Sequence, residues 1–158
     1  MRARTLAARA FWYCSIAMMP TFDPNDLIAR DGVYTIYRKG SLLGLTLIGI
    51  VDNDASNAWR EALEQEIIRG DFPEYFAIDG SRMVAKNSPG SRLRTAVFVR
   101  GLMRRAKFAV LRASDNSSSK AVIQALLSMA GVKTALVVTN EAAFAAALEA
   151  LHRGQPPV

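Results

Sequence analysis

The chain predicts an α/β fold: a four- to five-stranded mixed sheet with an initial β-hairpin, followed by alternating αβ units, with helices packed on the sheet. Three observations predict it. Two β-rich runs stand side by side around a turn signal, Val33–Arg38 and Leu42–Val51 about Lys39-Gly40-Ser41. Downstream, the apolar period changes repeatedly between helical spacing and short strand-like runs. The 158 residues, 51% of them hydrophobic and 22% charged, suffice for one compact core.

Each element has a local reason. Val33–Arg38 alternates β-branched and aromatic residues, and Leu42–Val51 reads as a longer, more buried strand. Trp59, Ala62, Leu63 and Ile67 then recur at helical spacing, with Asp54 as the expected N-cap and Gly70 as the stop. Tyr75–Asp79 is a short strand ending before Gly80. After a break at Asn87–Gly90, a helix is expected from Pro89 to Arg105, with Thr95, Val99, Leu102, Met103 and Ala106 inward. Phe108–Ala113 is the next strand, and the polar run Ser114–Ser119 a loop. Ile123, Leu126, Leu127 and Ala130 mark a helix stopped by Gly131. Lys133–Thr139 is the last strand. Asn140 caps a final helix that buries Phe144, Ala147, Leu148 and Leu151. Strands separated by helices need crossover connections, so the last three strands should be parallel, with the hairpin as an antiparallel edge.

The domain is expected over residues 33–152, with an N-terminal extension over 1–32 and a tail over 153–158. Residues 1–18 carry Arg2, Arg4 and Arg9, no acid, and the apolar run Ala10–Met18. Three readings fit: a secretory signal with a poor cleavage site, an organellar targeting peptide, or an over-long reading frame whose start is Met18 or Met19. The third is favoured, because the downstream pattern requires nothing upstream.

Composition removes several function classes. Cys14 is the single cysteine, so there is no internal disulfide framework, and one Cys with one His cannot build a soft zinc site. The expected compartment is the cytoplasm. No apolar run approaches the ~20 residues of a membrane span. No phosphate-binding glycine loop, dinucleotide fingerprint, nucleophile elbow or metal pair is present. No cofactor, metal or catalytic residue is therefore expected. Charge is segregated within the net +6: Asp52–Asp79 holds eight acids and two bases, and Gly80–Ser114 nine bases and no acid. Such a distribution suits either solvated helix faces or an anion- or partner-binding face.

Several short stretches, in order, resemble the STAS family of anti-sigma-factor antagonists. Gly49-Ile50-Val51-Asp52-Asn53-Asp54-Ala55 resembles the family's turn from second strand to first helix. Ser128-Met129-Ala130-Gly131-Val132 is similar to its segment before the last strand, and Glu141-Ala142-Ala143-Phe144-Ala145-Ala146-Ala147-Leu148 to the start of its final helix. Asn87-Ser88-Pro89-Gly90 lies where the family carries Asp-Ser-Ser/Thr-Gly, whose first serine a partner kinase phosphorylates. The resemblance spans residues 33–152. It implies a partner-switching regulator whose partner is a kinase-type anti-sigma factor, with Ser88 as phosphoacceptor and Asn87, Ser88, Pro89, Gly90, Arg92 and Arg94 as the contact surface. Asn87 lacks the family's charge, and Pro89 lacks its second hydroxyl and a backbone donor; both put phosphorylation in question. The alternative implied is a small-molecule or lipid-binding domain, which would require an apolar pocket between helix and sheet.

Each candidate also has a purely structural explanation. Ser88-Pro89 is a sufficient helix start by itself, Ser as cap and Pro at the first helical position. Asp52, Asp54 and Asp79 suit caps and turns, and Met83, Met103 and Met129 suit the core. His152 in a last helical turn suits the helix dipole. Arg100, Arg104, Arg105 and Lys107 form a basic cluster, but Phe98 is the only aromatic in that helix and no recognised motif accompanies it, which argues against nucleic acid.

Overall fold

The computed structural model describes residues 19–115, 117–129, 131 and 133–157. Six strands form one mixed sheet in sequence order: β1 (Leu27–Arg30), β2 (Tyr34–Lys39), β3 (Leu42–Val51), β4 (Tyr75–Ala85), β5 (Phe108–Arg112) and β6 (Ala135–Val138). Among the described residues, three helices lie in the connections between parallel strands, α1 (Asn53–Arg69), α2 (Pro89–Met103) and α3 (Ser117–Met129), and α4 (Glu141–His152) follows β6. β1, β2 and β3 pair antiparallel, and β3 through β6 pair parallel. The expected hairpin turns at Gly40, whose φ of 57° is cheap only for glycine.

Alternation along each strand divides the core into two layers. On one face Leu43, Leu45, Phe76, Ala109 and Leu111 pack with Trp59 and Leu63 of α1, Leu102 and Met103 of α2, and Leu127 of α3. On the other, Leu42, Tyr75, Ala77 and Val110 pack with Phe144, Ala147, Leu148 and Leu151 of α4.

The fold begins before residue 33, where the expected domain boundary lay. Met19 and Phe22 are buried on the α4 face, and β1 pairs with β2 at the sheet edge. An edge strand has one neighbour and needs only one apolar face, so β1 was hidden among the polar residues Asp23–Gly32. Thr21 holds a φ of 69°, rare for a β-branched residue, and its hydroxyl is 2.8 Å from His152 Nε2. Residues 1–18, and the expectations that fall on them, lie outside the described residues. At the other end, Gly154 at φ 69° and Gln155 donate backbone N–H groups to Leu151 and Ala150, so the expected tail begins as the cap of α4.

Other boundaries shift for local reasons. The cap of α1 is Asp52, which accepts from Ala55 N at 2.9 Å, with Asp54 in the first turn. α3 starts inside the expected Ser114–Ser119 loop. β4 runs through Gly80 to Ala85, six residues beyond expectation, because β3 supplies a partner as far as Val51↔Ala85. β5 stops at Arg112, paired with Asp79, so the ends of β3 and β4 project as a two-stranded ribbon.

Candidate functional site

The projecting ribbon delivers two helix N-termini to one place. β3 ends at Val51, directly before Asp52 caps α1; β4 ends at Ala85, just before Ser88 caps α2. The loop between β4 and α2 is pinned to α1. Ser88 N donates to Asn53 Oδ1 at 2.8 Å, and Asn87 Nδ2 to the buried Ser56 Oγ at 3.1 Å. Arg92 closes the loop from the far side, its Nε donating to Asn87 Oδ1 at 3.2 Å. Asn87 thus bridges both helices through its two amide ends, an arrangement an aspartate could not make with the same donors.

Ser88 is the cap expected from the sequence. Its Oγ accepts from Ser91 N at 3.2 Å, and Pro89 holds the first helical position. Ser88 is half-buried; Pro89 and Gly90 are exposed. The electrostatics of the loop favour an anion. Two dipole ends converge there, Arg92 and Arg94 lie in the first turns of α2, and Arg60 lies in α1. Burial lowers the Arg60 pKa from its ordinary value, and the Arg94 cation pushes the same way. Asp52 and Asp54 offset part of this field from the α1 side.

The outward face of α2 is the feature the sequence reading missed. Leu93 and Val97, one helical turn apart, are 66% and 64% exposed. Arg94 and Arg100 flank them, also exposed. The helix carries apolar residues on both sides: Val99, Leu102 and Met103 face the sheet, and Leu93 and Val97 face away. The signal was available as a second i, i+4 apolar pair outside the inward stripe.

The remaining candidates resolve structurally. Asp79 is 3% exposed, accepts from Ser81 N at 3.0 Å and Ser81 Oγ at 2.6 Å, and pairs with Arg112 at 3.5 Å. Met103 is buried and Met83 packs against the core, whereas the Met129 side chain lies outside the described ones. Phe98 packs edge-on against Trp59, 6.0 Å between centroids. The basic cluster is partly spent: Lys107 pairs with Glu74 at 2.8 Å, and Arg105 lies over the Phe72 ring. His152 lies in the last turn of α4 and is half-buried. Burial, then the Lys39 charge, lower its pKa, and the imidazole binds Thr21. Among the described residues no cluster of His, Cys, Asp and Glu could hold a metal ion, and no helix is long and apolar enough to cross a membrane.

No protein-family model matches this chain, and no curated protein matches it in sequence. Among solved structures, it is similar to the Bacillus cell fate determinant SpoIIAA in its phosphorylated form, with a TM-score of 0.51 and 16% identity over 78% of this chain and 100% of that one. At that identity the likeness is one of fold, and it supports the STAS-like architecture expected from the sequence.

Proposed function

We propose that this chain is a non-catalytic regulator that works by protein–protein contact, in the manner of an anti-sigma-factor antagonist, through the Asn87–Gly90 loop and the outer face of α2. The observation that carries the reading is the outer face itself. Leu93 and Val97 pack against no core cluster among the described residues, stand more than 60% exposed, and are framed by Arg94 and Arg100 on the helix that Ser88 caps. An apolar pair ringed by arginine suits the centre of a modest interface with a partner bearing a complementary acidic rim. The proposed partner class is a kinase-type anti-sigma factor, as the family resemblance implies, and the proposed compartment is the cytoplasm. The fold likeness to SpoIIAA, a cell fate determinant solved in its phosphorylated form, supports the regulatory reading.

Phosphorylation of Ser88 is the finer part of the proposal. A phosphate on its Oγ would sit at the N-terminus of α2, beside that of α1 and close in sequence to Arg92 and Arg94. It would add nearly two negative charges to the rim of the contact face and repel an acidic partner.

The test is binding to a kinase-type anti-sigma factor captured from the source cell. Leu93→Asp and Val97→Asp remove no core contact, so stability should move by less than ~0.5 kcal/mol. Each should weaken binding by at least about tenfold, ~1.4 kcal/mol. Ser88→Ala should lower stability by ~1 kcal/mol through the lost cap and spare binding. Ser88→Asp should keep the cap and weaken binding. A partner that binds both aspartate variants of the outer face like wild type removes this face from the interface. Equal binding by the two Ser88 variants removes the switch alone.

A further inference from the structure

The two edges of the sheet are β1 and β6, and they are built differently. An edge strand leaves a row of N–H and C=O groups unpaired, a template for another strand unless charge, a bulge or proline blunts it. β1 is blunted in this way: Arg30 and then Asp31 close it, and its pairing with β2 is irregular between Leu27 and Ala29. β6 has none of these devices. Ala135-Leu136-Val137-Val138 carries no charge and no proline, and it pairs with β5 in regular register along its whole length.

Ala109 N donates to Thr134 O at 3.0 Å and Ala113 N to Val138 O at 2.9 Å, so Thr134, Leu136 and Val138 turn their backbone groups toward β5. In a parallel ladder alternate residues serve one neighbour, which leaves the N–H and C=O of Ala135 and Val137 pointing out of the sheet. Side chains alternate between the faces: Ala135 and Val137 pack with the α1–α3 layer, and Leu136 and Val138 with the α4 layer. All four residues are only partly buried. A groove of about 350 Å³ lies between this edge and α3, with Leu127, Ala135, Val137 and Lys133 in its wall.

We propose that a second copy of the chain docks here, β6 against β6, antiparallel about a two-fold axis beside Leu136. That register sets Ala135 of each copy opposite Val137 of the other, and each such pair exchanges both its N–H···O=C bonds. The two Leu136 side chains meet on the α4 face as the closer, non-hydrogen-bonded pair. Charge favours a second copy over an arbitrary extended peptide. An antiparallel pair sets the start of one strand beside the end of the other. Exposed Lys133 of one copy therefore comes near Glu141 of the second, whose side chain is 73% exposed and whose contact to Arg112 is long, at 3.8 Å. Symmetry repeats this ion pair on the other side of the axis. A two-fold contact closes on itself, and the blunted β1 edge offers no second site, so the assembly stops at a dimer. The contact goes beyond the partner face proposed above and uses none of its residues.

Sedimentation equilibrium of the full chain from about 10 µM to about 1 mM tests it, with amide exchange and melting followed for every variant. A reversible monomer–dimer equilibrium without larger species is expected. Exchange at the Ala135 and Val137 amides should slow as the protein is concentrated, while Leu136 and Val138, already bonded to β5, should not change. Ala135→Pro removes an outward donor at the first residue of the strand, where proline is tolerated, and should weaken association at least about tenfold. Lys133→Glu should weaken it roughly fivefold, and Lys133→Glu combined with Glu141→Lys should recover most of that loss. A chain that stays monomeric to about 1 mM overturns the proposal. So does a dimer whose Ala135 and Val137 amides exchange as in the monomer, or one that folded Ala135→Pro forms as well as wild type. An unaffected Lys133→Glu, or a charge swap that does not recover its loss, overturns the antiparallel register. None of these results depends on whether a protein partner engages Leu93 and Val97.

Discussion

Replacing Phe22 with alanine is expected to destabilise the whole domain, although the residue precedes the strands that the sequence pattern announces. Phe22 is 6% exposed, and its ring lies 5.3 Å from that of Tyr37 and 5.5 Å from that of His152. It also covers Gly44 of β3: a Cβ there would stand 3.1 Å from Phe22 Cζ and 3.0 Å from Met19 Sδ. A buried Phe→Ala change typically costs ~3–5 kcal/mol, and Phe22 stands outside the regular strands, where the backbone can relax, so the lower figure of ~3 kcal/mol applies. For a chain of this size that corresponds to a fall in Tm of about 6–12 °C. Thermal melts followed by far-ultraviolet circular dichroism measure it, with Ile28→Ala on the exposed side of β1 as a control expected within ~0.5 kcal/mol of wild type. A second measurement isolates the contact. Gly44→Ala crowds Met19 and Phe22 in wild type, so it should cost ~1 kcal/mol there and less in the Phe22→Ala background, a coupling of some tenths of a kcal/mol or more. A Phe22→Ala shift below about 2 °C, at most ~1 kcal/mol, would refute the docking of this segment on the α4 face.

Three other outcomes follow from the same structure. Asp79→Asn leaves the half-covered Arg112 without its nearest carboxylate; the expected loss is ~2 kcal/mol, below the ~3–5 of a fully buried pair, and the urea midpoint should fall with an unchanged slope. Burial, then the Lys39 charge, lower the His152 pKa against the opposing pull of Asp26 and Glu149, so its folded pKa lies below the unfolded value. The unfolded chain therefore takes up the proton first: stability is full above ~6.5 and declines as pH falls from there toward the folded pKa. His152→Gln should lack that part of the decline when urea midpoints are compared between neutral and mildly acidic pH; identical pH profiles would show that His152 does not couple to folding. At the candidate switch, Ser88→Asp should match wild type in Tm while Ser88→Ala falls by ~1 kcal/mol, and a Ser88→Ala protein as stable as wild type would mean that Ser91 N is satisfied otherwise.

Legibility of the fold followed the strength of local signals. The hairpin was readable because Lys39-Gly40-Ser41 separates two β-branched runs, and α4 because Asn140, Phe144, Ala147, Leu148 and Leu151 carry both a cap and a buried stripe. β1 was not readable: Leu27–Arg30 is only four residues, half of them exposed, and gains its strand conformation from pairing with Tyr37, Ile36 and Thr35. The second half of β4 was lost for a similar reason. Gly80-Ser81-Arg82 reads as a break, and only the reach of β3 keeps it extended. At the candidate site, Ser88 and Pro89 were legible as a helix start, a matter of two adjacent residues. Asn87's bridge to Ser56 spans 31 positions, and no local pattern reports such a distance.

The amino-acid sequence by itself determined the class of this protein: an α/β chain whose later strands must run parallel, with a serine-capped helix after a central strand and bases concentrated beyond Gly80. These are properties of period, caps and charge, which act over a few residues and need no partner from elsewhere. Tertiary structure alone decided which faces those elements spend on the core. Only in the fold does α2 turn Val99 and Leu102 inward and leave Leu93 and Val97 to solvent, and only there do Met19 and Phe22 find the surface of β3. The same packing leaves a cavity of about 370 Å³ between α1, α2, α3 and the sheet. The physical reason is that burial depends on the area neighbouring elements remove from water, and that area is set by contacts between residues far apart in the chain.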